Sequence, residues 1–158
     1  SKQQYIEIIE KIRDIRPDIA VSGDFIVGFP GETEDDFNDT MDIVKKVRYA
    51  HAYSFKYSPR PGTPAANMGL QIDEETKKKR LSKLQELITS TMKTFNESFL
   101  GRTLEILIEK QGFEENQITG RSPYLQSVHL EGHNSLIGEL VNVEILKIKE
   151  KSLFGTIV

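Results

Sequence analysis

The sequence predicts an α/β unit over residues 1–97 followed by a small, closed or nearly closed, all-β barrel over residues 98–158. Three observations carry this. Two apolar segments, Ser22–Thr33 and Tyr57–Pro64 with the residues leading into it, each run into a Gly/Pro-rich turn and lie one helix apart, as in a β-turn-α-β-loop unit. A long apolar stripe at helical spacing then runs Leu81, Leu84, Ile88, Met92, Phe95, Phe99. Beyond Gly101 the period changes to alternation, broken by Gly112, Gly120, Gly132, Gly138 and Gly155.

The elements follow in order. Tyr5, Ile8, Ile9, Ile12 and Ile15 recur at helical spacing, and Pro17 ends that helix near Asp14–Arg16. Ile19–Val27 reads as a buried strand. Thr33 is placed to cap the next helix, although Asp36 stands where a capping box prefers Glu. Phe37, Met41, Val44 and Val47 form that helix's buried stripe, and His51–Tyr57 is the second strand. Ser58–Gln71 is irregular, and Asp73 opens the third helix with Glu74 and Glu75 in its first turn. Leu104, Ile106 and Ile108 alternate with polar neighbours, as do Val141, Val143 and Ile145. Leu125–Leu130 and Leu153–Val158 supply two further strands. Two parallel strands cannot bury both faces of a sheet, so the first unit is expected to be part of a larger domain, with apolar strand edges prone to self-association.

Composition narrows the functions. The chain has 158 residues, 37% apolar and 28% charged, with no apolar run long enough to span a bilayer, so no membrane partner is expected. A net charge of -3 gives no global support for nucleic-acid binding, which must rest on a local patch. The absence of cysteine excludes disulfides and thiolate-held metals within the chain.

In a parallel sheet the turns after both strands emerge at the carboxyl edge, where such folds bind small molecules. The turn at Gly28–Glu32 lacks a Lys and precedes three carboxylates, which favours an uncharged or cationic group over a phosphate; an ordinary strand-to-helix turn explains it equally well. Arg60, between Pro59 and Pro61, is a rigidly presented guanidinium suited to a carboxylate or phosphate, or else a surface Arg with an internal ion pair. Lys77, Lys78, Lys79 and Arg80, with Lys83, form a basic run that reads first as a solvated helix face and second as a phosphate contact. Arg121, Tyr124, Gln126 and His129 fall within one turn and strand, which suits base stacking, or a plain barrel rim.

The series IVGFPGET at 26–33, FKYSPRPGTPAA at 55–66, KKKRLSKLQEL at 77–87 and ITGRSPYLQSVHLEG at 118–132 resembles the radical S-adenosylmethionine methylthiotransferases. The resemblance covers essentially the whole chain, and the Pro-Arg-Pro turn is closer to the tRNA-modifying members. It implies the C-terminal part of a partial radical-SAM (β/α) barrel followed by a TRAM domain, a small OB-like RNA-binding β-barrel. It implies transfer of a methylthio group to carbon 2 of an isopentenylated adenosine beside the tRNA anticodon, using S-adenosylmethionine and two 4Fe-4S clusters, in the cytoplasm. Ile26, Gly28, Glu32, Tyr57 and Arg60 would then meet the cofactor or substrate. Lys77, Lys78, Lys79, Arg80, Arg121, Tyr124 and His129 would meet the anticodon stem-loop. The family's cluster cysteines belong to an N-terminal part that this chain lacks, so the chain alone is expected to be inactive without that part as partner. Alternatives are methylthiolation of threonylcarbamoyl-adenosine in tRNA or of a ribosomal-protein aspartate, and a non-catalytic RNA-binding module.

Overall fold

A computed structural model describes residues 1–149 and 151–158. It divides into two compact units, Ser1–Met92 and Lys93–Val158.

The first unit contains α1 (Lys2–Ile15), β1 (Ser22–Val27), α2 (Glu34–Val47), β2 (His51–Lys56) and most of α3 (Glu74–Glu97). The strands pair in parallel, Ser22 against His51 through Val27 against Lys56. Ile9 from α1, Phe37, Val44 and Val47 from α2, and Leu84 and Ile88 from α3 pack with Val27 and Tyr49 into one core. Thr33 and Asp36 form a complete capping box, so the shorter Asp serves where Glu was preferred. The expectation of a buried strand over Ile19–Val27 is corrected. The strand begins at Ser22 and buries one face only, leaving Ile26 59% exposed beside Tyr53 and Phe55 on β2. A parallel sheet buries both faces only when layers cover both, and all the helices that build this core lie on one side.

The second unit takes the last turn of α3 and five strands: β3 (Thr103–Gln111), β4 (Gln117–Arg121), β5 (Ser127–Glu131), β6 (Leu140–Lys149) and β7 (Ser152–Ile157). They close into a barrel in the order β3-β4-β5-β7-β6, with β5 and β7 parallel. Leu104, Ile106, Ile108, Ile118, Val128, Leu130, Val143, Ile145 and Leu153 fill it. Gly120, read as punctuation between strands, lies within β4 instead, and Gly155 lies within the expected last strand, β7. They pair with Ile108 and Ile145, where β3 and β6 each shift register. A Cβ on either would stand 2.4 Å from the Leu107 carbonyl oxygen or 2.3 Å from that of Glu144. Glycine therefore permits the close backbone approach at which a barrel strand bends.

Candidate functional site

At the carboxyl edge of the sheet, Tyr57 N–H donates to the Val27 carbonyl at 2.8 Å and Gly31 N–H to that of Leu70 at 2.9 Å. The turn after β1 and the irregular segment after β2 therefore meet, as parallel pairing requires. Gly28 has a φ of 72°, and a Cβ there would fall 2.4 Å from Lys77 Cγ, so glycine is required for conformation and for contact. Its N–H donates to Glu32 Oε2 at 2.8 Å, while Glu32 Oε1 accepts from Arg80 at 2.6 Å. Arg80 also donates to the Glu32 carbonyl at 3.1 Å and reaches Glu34 at 3.2 Å.

One expectation from the sequence is corrected here. Lys77 and Arg80 are buried, at 4% and 7% exposure, and face the β1 turn instead of solvent. Lys77 reaches Glu74 at 3.2 Å and lies over the Tyr57 ring; Arg80 lies over the Phe37 ring. Both were expected to meet RNA. Their spacing of three along the helix puts them on its inner side, and only Lys78, Lys79 and Lys83 are exposed. Arg80 pairs with Glu32 and, among the three carboxylates that follow the turn, with Glu34, one cation against four carboxylates, so the turn keeps a net negative charge.

Tyr57 is buried beside Phe29, ring centroids 5.2 Å apart, and its hydroxyl has no hydrogen-bond partner among the described residues. Ile26 and Phe29 are exposed at the same edge. Arg60 is exposed and makes no ion pair among the described residues; its carbonyl accepts from Thr63 Oγ1 at 2.8 Å and fixes the loop. The internal ion pair considered for it is not formed.

On the barrel, Tyr124 is not a stacking platform. It is 8% exposed and packs on Phe95 and Phe99. Next to it Gln126, 1% exposed, accepts from Ser122 Oγ at 2.9 Å and donates to Asn96 at 2.8 Å, a buried polar network that joins the β4–β5 loop to α3. The aromatic beside Arg121 belongs to this core because Leu125, at φ 62°, turns the chain before β5 starts.

Arg121 and His129 do share one surface. A groove of about 420 Å³ is lined by Glu109, Lys110, Phe113, Thr119, Arg121 and His129, among others. Arg121 pairs with Glu109 at 3.3 Å and donates to the Leu125 carbonyl at 3.1 Å. His129 stacks on Phe154, centroids 5.0 Å apart, and its Nδ1 lies 3.1 Å from Thr119 Oγ1. Burial, and secondarily Lys110, lowers its pKa below the ordinary 6.5. Phe113 and Phe154 were not singled out from the sequence. Phe113, an apolar ring next to Gly112 in an otherwise polar turn, was the available signal.

Residues 97–158 match the TRAM domain family. Across 98% of its length the chain is 53% identical to the tRNA-2-methylthio-N(6)-dimethylallyladenosine synthase of Agrobacterium fabrum, covering 34% of that protein. The synthases so named from Sphingopyxis alaskensis and Maricaulis maris are each 52% identical, over 97% and 98% of the chain and 34% of their own lengths. The chain thus spans about a third of these relatives. The resemblance read from the motifs holds: along nearly its whole length the chain is similar to proteins named tRNA-2-methylthio-N(6)-dimethylallyladenosine synthase, and its residues 97–158 match the TRAM domain family.

Proposed function

We propose that the chain is the C-terminal part of an enzyme that methylthiolates carbon 2 of N6-isopentenyladenosine beside the tRNA anticodon, by radical S-adenosylmethionine chemistry in the cytoplasm. Identity of 52–53% across nearly the whole chain to three synthases of that name carries the reading. In it, residues 1–97 contribute part of the radical barrel and residues 98–158 bind RNA.

The chain's own residues fit one of the implied groups and not the other. Having no cysteine, it offers no thiolate for an iron–sulfur cluster, so those ligands are assigned to the remainder of the protein. S-adenosylmethionine suits the sheet's carboxyl edge, where a buried hydroxyl on Tyr57 lacks a partner among the described residues and the apolar Ile26 and Phe29 are exposed. When bound, that cofactor supplies a sulfonium centre as radical source and methyl donor. Ile26 would pack against its nucleoside and Tyr57 would hydrogen-bond it. Gly28 and Glu32 would hold the turn in shape, and Arg60 would orient an anionic group. Lys78 and Lys79, with Arg121 and His129, would meet the anticodon stem-loop.

Nucleosides from tRNA of cells making the full-length protein test the assignment by mass spectrometry. The expected product is 2-methylthio-N6-isopentenyladenosine. Unmodified isopentenyladenosine, or the modification appearing on threonylcarbamoyl-adenosine instead, would overturn it. For the chain itself, affinity for the anticodon stem-loop should fall linearly in log–log form with salt.

A further inference from the structure

The turn between β3 and β4 displays an aromatic ring for which packing gives no reason. Phe113 is 100% exposed, yet its backbone is fixed. Its N–H donates to Gln117 Oε1 at 3.1 Å, and Gly112 N–H donates to the Gln117 carbonyl at 2.6 Å. A Cβ on Gly112 would fall 2.5 Å from Gln117 Oε1, so the tight turn depends on glycine. A ring held out to water on an ordered turn suits stacking with a flat partner.

The rest of the groove has the matching chemistry. His129, already stacked on Phe154, adds a second flat surface, and its lowered pKa keeps it neutral at pH 7. Lys110 and Arg121 bring positive charge to the rim, and Thr119 and Ser127 bring hydroxyls. One carboxylate, Glu109, stands among them. Its contact with Arg121, at 3.3 Å, uses only part of its acceptor capacity. A carboxylate in an otherwise cationic groove selects for a donor on the ligand. An exocyclic amine satisfies it, whereas a ring carbonyl at the same place is repelled. The volume, about 420 Å³, lies at the small end of ligand sites and suits a nucleotide rather than a duplex.

We propose that this groove takes one unstacked nucleobase bearing an exocyclic amine, stacked on Phe113 and His129, with the amine donating to Glu109 and the flanking phosphates meeting Lys110 and Arg121. The proposal rests on the RNA-binding reading of the barrel and names the base class and the residues that read it.

Cytosine presents a C4 amine beside an unprotonated N3 and uracil a C4 carbonyl beside an N3–H, so labelled oligocytidine and oligouridine, which differ in what stands at the exocyclic position, are the probes. Fluorescence anisotropy with the 158-residue chain should show oligocytidine bound about tenfold more tightly. Phe113→Ala should weaken oligocytidine binding about tenfold. Glu109→Gln should bring the two affinities close to equal. Both positions are exposed, and amide NMR spectra establish that the variants fold. Equal affinities in the wild type, a preference surviving Glu109→Gln, or no loss in Phe113→Ala would overturn the proposal while leaving RNA binding by the barrel intact. Failure to bind these oligonucleotides and the anticodon stem-loop alike would overturn the RNA reading itself, and this proposal with it.

Discussion

Arg80 shows how a single side chain decides between two functions for a basic run. Its guanidinium is buried and holds Glu32, whose other oxygen receives the Gly28 N–H. Removing the cation leaves a mostly buried carboxylate unpaired. Arg80→Met should therefore lower stability by about 3 kcal/mol in urea unfolding, whereas Lys78→Met and Lys79→Met should stay within about 0.5 kcal/mol. His129 carries a second prediction at this scale. Burial holds its folded pKa below 6.5, so the unfolded chain binds a proton that the folded chain refuses. Its contribution is intact above about pH 6.5 and is lost as pH falls through the lowered folded value. The melting temperature should decline from about pH 7 to about pH 5, and His129→Gln should flatten that decline.

Among the elements, the barrel strands depend on two glycines that no turn requires. Gly120 and Gly155 face the register shifts in β3 and β6, and each leaves no room for a methyl group against a carbonyl of the neighbouring strand. Backbone cannot yield as a flexible side chain can. Gly155→Ala should cost about 3 kcal/mol. Hydrogen exchange should show the loss in β6 and β7, with the α2 amides unchanged, because α2 packs in the other unit's core. A milder effect is expected at Gly31, where φ is 85° but nothing lies within 4 Å of an added Cβ. Gly31→Ala carries only the left-handed backbone penalty, about 1 kcal/mol.

For the molecule as a whole, the two-stranded sheet is the feature with solution consequences. Its strands have no further neighbours among the described residues, and Ile26, Tyr53 and Phe55 expose their side chains on one face. Unpaired edges and contiguous apolar surface favour association between copies. Light scattering should give a mass that rises with concentration, and Phe55→Lys should hold it closer to the monomer. A mass independent of concentration in the wild type would refute this.

Periodicity alone determined the helices, the apolar stripe of the third of them and the change to alternating strands beyond Gly101, because those signals arise from near neighbours in the chain. The motif series identified the relatives, since several spaced turns in order are more specific than any single one. What residue type and spacing left open was which way each polar or aromatic side chain faced. Lys77 and Arg80 lie inward because the β1 turn supplies Glu32 and a bare Gly28 across from α3. Tyr124 is core because Phe95 and Phe99 arrive from the end of α3 to cover it. Phe113 became a candidate only when closure of β3 against β4 placed its turn beside His129. Each depends on partners distant in the chain, and only the tertiary structure decides burial of that kind.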